Sequence, residues 1–124
     1  MLNSQICDYT YLMRSVEALG ESKHIQVEVL GRSILGKDIP ILTLGKGTRS
    51  VLYVGTQHGT EWLTCGVLLD FASDFIQRCE KNAKVYERQM RALAEERRIF
   101  IVPMLNPDGV EYAVHGVFHF HTLT

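Results

Sequence analysis

The sequence predicts an α/β fold in which a mixed, mainly parallel sheet is flanked by helices. Two apolar segments, residues 51–54 and 99–105, have the composition of buried strands and are separated by a long helix-forming stretch. A helical crossover between two such strands favours a parallel pair. Two further strand-like segments, residues 25–29 and 38–45, lie close together and predict an antiparallel hairpin. With 124 residues and 46% hydrophobic content, the chain is expected to form one domain over residues 1–124.

The first part of the chain predicts a helix followed by that hairpin. Asp8 is suited to an N-cap, apolar residues recur at helical spacing after it, and Gly20 can end the helix. Apolar and polar side chains alternate along residues 25–29, which is typical of a half-buried strand. Pro40 cannot donate a hydrogen bond to a strand ladder, so its position predicts a sheet edge or a bulge.

The rest of the chain predicts strands alternating with helices. Residues 51–54 are uniformly apolar and predict an interior strand. A helix is expected over about residues 61–79, because the apolar side chains there fall on or near one face. The charge-rich segment 80–98 predicts a solvated surface helix, and the apolar strand after it is broken by "NPDG".

Composition and charge narrow the classes of partner. Thirteen Lys and Arg residues against fourteen Asp and Glu residues leave a net charge of -1, so we expect neither nucleic acid nor an anionic membrane as the main partner. No apolar run reaches the length of a bilayer span. The N-terminal stretch "MLNSQICDYTYLMRS" lacks the basic and apolar regions of a signal peptide. These observations predict a cytoplasmic protein without a membrane partner.

The three cysteines, Cys7, Cys65 and Cys79, are odd in number and form no CxxC pair. Reduced thiols in a cytosolic protein are the simplest interpretation. Cys65 lies near His58 in the sequence, which raises the hypothesis of a nucleophile. Its helical position among apolar neighbours favours a small core residue instead.

Residues suited to a metal site follow the apolar strand at residues 51–54. In the stretch "VLYVGTQHGTEWL", His58 follows the strand and Glu61 comes three positions later, where the predicted helix starts. Ligands of open α/β sheets bind beyond the carboxyl ends of the strands, and imidazole nitrogen and carboxylate oxygen are good zinc ligands. The alternative is an ordinary loop in which Thr60 caps the helix and Glu61 lies at its positive end. The spacing alone leaves both interpretations open, because an isolated His-x-x-Glu pattern arises by chance.

Four blocks of the sequence, in this order, resemble the zinc carboxypeptidase family. They are "CDYTYLMRSVEALG", "VLGRSILGKDIPILTLGKG", "VLYVGTQHGTEWLT" and "IFIVPMLNPDGVEY". The resemblance is greatest to the branch that includes bacterial γ-D-glutamyl-diamino-acid peptidases, and it covers residues 8–116. It implies that His58 and Glu61 are zinc ligands. It also implies that the "NPDG" turn, residues 106–109, helps to build the floor of the active site.

The function that this resemblance implies is zinc-assisted hydrolysis of C-terminal or γ-D-glutamyl-diamino acid bonds in peptides, cell-wall peptides among them. The family's third zinc ligand, its general-base glutamate and its substrate-binding residues lie beyond the matching part, so no catalytic or substrate-binding residue is assigned. We therefore expect a truncated, N-terminal portion of a catalytic domain, with Zn2+ held by His58 and Glu61. The alternative is a catalytically incomplete remnant that binds metal or peptide, or serves as an oligomeric interaction module.

Residues 117–124 do not resemble the family and are expected to form an atypical tail. His115, His119 or His121 could supply a substitute zinc ligand. His119 and His121 are two positions apart, so their side chains would lie on the same face of a strand. Incidental histidines in a terminal strand are the preferred interpretation. A second copy of the chain could also complete the site through the open sheet edge, as a homo-oligomer. A nucleotide-binding domain ranks last, because "GTQHG" forms neither a GxGxxG nor a Walker A pattern.

Overall fold

A computed structural model describes residues 5–85 and 88–116 of the chain. The expected tail at residues 117–124, with His119 and His121, lies outside the described residues. The elements follow in chain order: α1 (Tyr9–Leu19), β1 (Ile25–Arg32), β2 (Asp38–Gly45), β3 (Arg49–Val54), a 3₁₀ turn (Gly59–Glu61), α2 (Leu63–Lys81), β4 (Lys84–Val85), β5 (Arg88–Gln89), α3 (Met90–Glu96), β6 (Arg97–Val102) and α4 (Pro107–His115).

Four strands form the main sheet in the order β1-β2-β6-β3. β1 and β2 form the expected hairpin, β2 pairs with β6 in antiparallel orientation, and β6 pairs with β3 in parallel orientation. The α/β class, the mixed sheet and the parallel pair across the helical crossover are confirmed. The expectation of a mainly parallel sheet is wrong for the described residues. Because the hairpin places β2 beside β6, two of the three pairings are antiparallel.

The hairpin contains the irregularity that Pro40 predicts. Pro40 lies opposite Val29, and the register shifts between Val29 and Gly31. On its other side β2 pairs with β6 only along residues 42–45. Pro40 lies outside that pairing, so no hydrogen bond to β6 needs the backbone N–H that proline lacks. The predicted bulge is confirmed.

The first helix begins where Asp8 predicts. The Asp8 side chain accepts a hydrogen bond of 2.9 Å from the backbone N–H of Tyr11, and Gly20 follows the last helical residue. Leu12 and Val16 are buried on the inner face of α1. They belong to one apolar cluster with residues of α2, of the central strands and of the segment around α4: Leu42, Leu44, Cys65, Leu69, Ala72, Phe75, Ile76, Ile101, Met104 and Val110.

The outer strands are more exposed than the sequence predicts. In β3, Val51, Leu52 and Tyr53 are 43%, 56% and 45% exposed. The prediction of an interior strand is therefore wrong for the described sheet, because β3 pairs with β6 on one side and lies at the sheet edge. β1, at the opposite edge, likewise exposes Val27 and Val29.

The charge-rich segment after α2 is only partly helical. Asn82 adopts a left-handed conformation with a φ of 48°, and its N–H bonds the carbonyl of Cys79, which ends α2. The β4–β5 hairpin follows, and α3 has only seven residues before β6 begins. The expected continuous surface helix is therefore wrong.

Among the described residues, no helix is both long and apolar enough to cross a lipid bilayer.

Candidate metal centre

His58 and Glu61 lie together just beyond the carboxyl end of β3. His58 has an extended backbone, with φ of -110° and ψ of 134°, and Glu61 ends the 3₁₀ turn that follows it. The Nδ1 atom of His58 lies 3.0 Å from the Oε1 atom of Glu61. The two side chains are 77% and 51% exposed. The structure therefore brings both predicted ligands to one solvent-accessible point.

The capping role considered for Thr60 is not what the structure shows. Thr60 lies inside the 3₁₀ turn, whereas Trp62 occupies the N-cap position of α2 and makes no side-chain cap hydrogen bond. His58 occupies the N-cap position of the 3₁₀ turn, also without a side-chain cap hydrogen bond. The carboxylate of Glu61 contacts His58. Glu61 is the last residue of the 3₁₀ turn and therefore lies before the first turn of α2.

Two threonines that sequence reasoning missed hold the loop in place. Thr56 is buried and has a left-handed φ of 52°, which is unusual for a β-branched residue. Its N–H donates to the Thr64 hydroxyl at 2.7 Å, and that hydroxyl donates to the Glu61 carbonyl at 2.9 Å. The Thr56 hydroxyl in turn donates to the carbonyl of Pro103 at 3.2 Å. The only signal in the sequence is the presence of a threonine on each side of the motif.

The "NPDG" turn donates hydrogen bonds to the backbone of the same loop. The Asn106 N–H donates to the Thr56 carbonyl at 3.0 Å, and the Leu105 N–H donates to the Gly55 carbonyl at 3.1 Å. The side-chain amide of Asn106 donates to the Gln57 carbonyl at 3.3 Å. The turn thus contacts Thr56 and Gln57, and Leu105, which precedes the turn, contacts Gly55. These contacts agree with the supporting role inferred from the resemblance.

Gly59 and Gly109 bring the turn into backbone contact with the 3₁₀ turn. A Cβ atom on Gly59 would overlap the backbone carbonyl of Gly109, so only glycine fits without displacing α4. The Asn106 side chain accepts a hydrogen bond of 2.9 Å from the Gly109 N–H and so caps α4. Asp108 extends this support to the hairpin loop, where it accepts hydrogen bonds from the Ser33 hydroxyl and the Leu35 N–H.

His115 is held away from the His58–Glu61 pair by a different set of contacts. Its Nε2 atom lies 3.1 Å from an Asp8 oxygen and 3.6 Å from a Glu111 oxygen. Glu111 is buried and also accepts a hydrogen bond of 2.9 Å from the Tyr9 N–H. Within residues 5–85 and 88–116, no three His, Cys, Asp or Glu side chains form a group that could hold a metal ion. His115 therefore does not complete a site with His58 and Glu61.

The ligand atoms of the pair are of the types that zinc prefers, but the described residues do not supply the three protein ligands of a catalytic zinc site. Catalytic zinc sites take three protein ligands and a water molecule. His58 and Glu61 would supply two ligands of the types that zinc prefers, and their donor atoms are already at 3.0 Å. A third protein ligand is not found beside them in the described ranges.

Comparison with known proteins settles the family. Residues 12–117 match the zinc carboxypeptidase family, which is most of the chain. The chain belongs to the zinc carboxypeptidase family. The resemblance carried by the four sequence blocks is therefore confirmed, and His58 and Glu61 lie inside the matching region.

The chain is much shorter than two of the relatives that it matches. The γ-D-glutamyl-L-diamino acid endopeptidase 1 of Lysinibacillus sphaericus is 27% identical over 110 residues, which cover 88% of this chain and 28% of the relative. The inactive metallocarboxypeptidase ECM14 of Paracoccidioides lutzii is 30% identical over 98 residues, which cover 73% and 16% of the two chains. The chain thus spans less than a third of the length of these relatives.

Solved structures of metallocarboxypeptidases share the fold. The metallo-carboxypeptidase from Burkholderia cenocepacia matches with a TM-score of 0.71 and 23% identity, over 87% of this chain and 28% of that structure. Bovine thrombin-activatable fibrinolysis inhibitor, solved in complex with tick carboxypeptidase inhibitor, matches with a TM-score of 0.74 and 18% identity, over 90% and 34% of the two chains. The described residues therefore adopt part of the carboxypeptidase fold.

Proposed function

We propose that His58 and Glu61 are two ligands of a zinc ion in a peptide-hydrolysing centre. The observation that carries the proposal is the 3.0 Å approach of an imidazole nitrogen and a carboxylate oxygen at a strand end, in a zinc carboxypeptidase family member. Two atoms bound to one tetrahedral zinc at about 2.0–2.1 Å are separated by about 3.3 Å. The pair therefore needs only a small adjustment to share one ion.

The residues of this chain would bind and orient rather than transfer protons. His58 and Glu61 hold the ion, and the Thr56–Thr64 and Asn106 hydrogen bonds keep their loop in one conformation. A zinc ion bound there supplies a Lewis acid and lowers the pKa of a bound water. Hydrolysis also needs a general base and a third ligand, which are not assigned to any residue of this chain.

Zinc binding by purified protein tests the metal proposal. Protein stripped with a chelator and titrated with zinc is expected to bind one ion, and His58→Ala or Glu61→Gln should weaken binding by at least about tenfold. Gln57→Ala and Glu95→Gln change exposed residues outside the proposed ligand pair and should leave affinity unchanged. Equal zinc affinity in wild type and both ligand variants would overturn the proposal.

The proposed substrate is a peptide with a C-terminal or γ-D-glutamyl-diamino acid bond, cell-wall peptides included. Support comes from the family and from the γ-D-glutamyl-L-diamino acid endopeptidase among the relatives. The inactive ECM14 relative shows that membership alone does not establish turnover. Incubation of the zinc-loaded chain with a γ-D-glutamyl-diaminopimelate peptide distinguishes an enzyme from a protein that only binds the peptide. Release of the diamino acid supports an enzyme, whereas saturable peptide binding without release supports the incomplete, binding-only alternative.

A second proposed property is self-association through β3. Val51, Leu52 and Tyr53 are exposed in an edge strand, and the Tyr53 ring contacts the exposed Phe71 ring of α2 at a centroid distance of 6.1 Å. An apolar edge strand offers unpaired backbone groups to another strand. We propose that two copies pair along β3.

A further inference from the structure

We propose that Cys7 and Cys65 are a disulfide-forming pair that links the segment before α1 to the first turn of α2. Their sulfur atoms lie 2.8 Å apart, although the residues are 58 positions apart in the sequence. A disulfide bond is about 2.05 Å long, so the sulfurs need to approach by only about 0.8 Å. This assignment departs from the reduced thiols that the sequence predicts.

Both cysteines are buried, and each lies beside a hydrogen-bonded part of a helix. Cys7 is 1% exposed and immediately precedes Asp8, whose side chain caps α1. Cys65 is fully buried, and its N–H donates to the Trp62 carbonyl at 3.2 Å. Because Cys7 adjoins the cap of α1 and Cys65 lies in α2, the fold places the pair in the buried interior rather than at a surface contact.

The burial of the pair argues against a nucleophilic role and indicates when the bond forms. The hydrogen bond with Cys7, together with burial, raises the pKa of the Cys65 thiol. The thiolate is the reactive form, so Cys65 reacts slowly in the folded chain. Cys7 lies near the start of the described chain, beside the exposed Gln5 and Ile6. Exchange therefore takes place before the Cys7 segment docks, or during its local opening.

The oxidant is a low-molecular-weight disulfide, such as oxidised glutathione. One cysteine thiolate attacks a sulfur of the oxidant, forms a mixed disulfide and expels one oxidant thiolate. The second cysteine thiolate then attacks the protein sulfur of the mixed disulfide and expels the other half of the oxidant. The two cysteines lose two electrons and two protons, and the oxidant leaves as two thiols.

The third cysteine provides an internal control. Cys65 and Cys79 both lie on α2, 14 positions apart, which corresponds to about 21 Å along a helix. Cys79 is buried, but this separation prevents it from pairing with Cys65 in the folded chain. A bond that formed at random would include Cys79 as often as the other two.

The bond would also stabilise the surroundings of the His58–Glu61 pair. It would close a loop from Cys7 to Cys65 that contains β1, β2, β3 and the loop carrying His58. Cys65 lies only four positions after Glu61, in the first turn of α2. Oxidation should therefore stabilise the part of the fold that positions this pair.

Peptide mapping of the wild-type chain tests the proposal without relying on a variant. The protein is refolded in a glutathione redox buffer, alkylated under denaturing conditions and digested with trypsin without reduction. Trypsin places the three cysteines on separate peptides: residues 1–14, 50–78 and 79–81. We expect the first two peptides to be linked and Cys79 to be alkylated. Alkylation of all three cysteines, or a link that includes Cys79, would overturn the proposal.

Thermal unfolding provides a second readout. Reduction should lower the melting temperature of the wild type and of Cys79→Ser by roughly 10 °C. The melting temperature of Cys7→Ser should not respond to reductant, because this variant has no pair to reduce. A response to reductant in Cys7→Ser equal to that of the wild type would contradict the assignment.

Discussion

At the scale of single residues, the position of the His58–Glu61 pair depends on side chains outside the pair. The Thr64 hydroxyl accepts from the Thr56 N–H and donates to the Glu61 carbonyl, so one oxygen atom joins both ends of the loop. Thr56 needs this support because its φ of 52° is unfavourable for a β-branched residue. The sequence predicted that His58 and Glu61 lie together but gave little sign of these contacts, since their partners become known only with the fold.

Replacing Thr64 with valine should destabilise the chain. Thr64→Val keeps the shape of the side chain but leaves the buried Thr56 N–H without its acceptor, which should cost about 1–3 kcal/mol of unfolding free energy. Urea denaturation measures the effect. Thr60→Val changes an exposed threonine of the same loop and should differ from wild type by less than about 0.5 kcal/mol. Equal losses in the two variants would show that the Thr64 hydroxyl is not a special contact.

A methyl group on Gly59 should force the 3₁₀ turn away from α4. Its Cβ would overlap backbone atoms of Gly109, which cannot move aside as a flexible side chain can. Gly59→Ala should therefore lower the unfolding free energy by about 1–3 kcal/mol. Gly31→Ala is the matched control, because a Cβ there meets no atom within 4 Å. If Gly59→Ala is as stable as Gly31→Ala, the close backbone contact is absent in solution.

At the scale of secondary-structure elements, the local parts of the fold and the parallel β3–β6 pair were predictable, whereas the antiparallel β2–β6 pairing was not. Asp8 marks the start of α1, and Pro40 marks the bulge, because capping and ladder hydrogen bonding act within a few residues. The β2–β6 pairing joins segments more than 50 positions apart, so no local pattern specifies it. The exposure of β3 follows from the strand order and was predicted wrongly for the same reason.

Asn106 has two separable functions at the start of α4. Its side-chain oxygen caps the helix, and its side-chain nitrogen holds the Gln57 carbonyl. Asn106→Ala loses both contacts and should cost about 1 kcal/mol or more of unfolding free energy. Asn106→Asp keeps the capping oxygen and should lose less stability, while loosening the loop before His58. Hydrogen exchange of the His58 and Gly59 amides reports on that loop. Unchanged exchange in Asn106→Asp would exclude the positioning role.

Acid should weaken the contact between β5 and the end of α3. Arg88 donates a hydrogen bond of 2.9 Å to Glu96, and this hydrogen bond lowers the pKa of the Glu96 carboxyl from its ordinary value. A lowered carboxyl pKa contributes stability above the ordinary value near 4.5, and the contribution disappears as the pH falls through the lower folded value. The stability difference between wild type and Glu96→Gln should therefore be present at neutral pH and disappear in strong acid. A difference that is independent of pH would contradict this assignment.

At the scale of the whole molecule, the chain presents one part of the carboxypeptidase fold with an exposed sheet edge. It spans 28% of the Burkholderia cenocepacia structure and reproduces its fold over 87% of its own length. The family could be predicted because four blocks of sequence carry it, and the assignment of His58 and Glu61 as zinc ligands stays a prediction. His115, which the sequence offered as a substitute ligand, contacts Asp8 and Glu111 instead, and this arrangement depends on the packing of α4 beside α1.

Self-association through β3 is testable on the intact chain. Analytical ultracentrifugation should show a concentration-dependent dimer, and Leu52→Lys should weaken it because a charge on an edge strand opposes strand pairing. Val29→Lys places the same charge on β1, the opposite edge strand, and should leave the dimer intact. Loss of the dimer in Val29→Lys but not in Leu52→Lys would place the interface at β1. A monomer at all concentrations would refute self-association.

The location of bound zinc decides whether His58 and Glu61 are metal ligands. Crystals of the wild-type chain grown with zinc and measured on both sides of the zinc absorption edge show where the metal lies. We expect an anomalous peak about 2.0–2.2 Å from a His58 ring nitrogen and from a Glu61 carboxylate oxygen. A zinc peak at other residues with none at this pair, or no peak from crystals saturated with zinc, would contradict it.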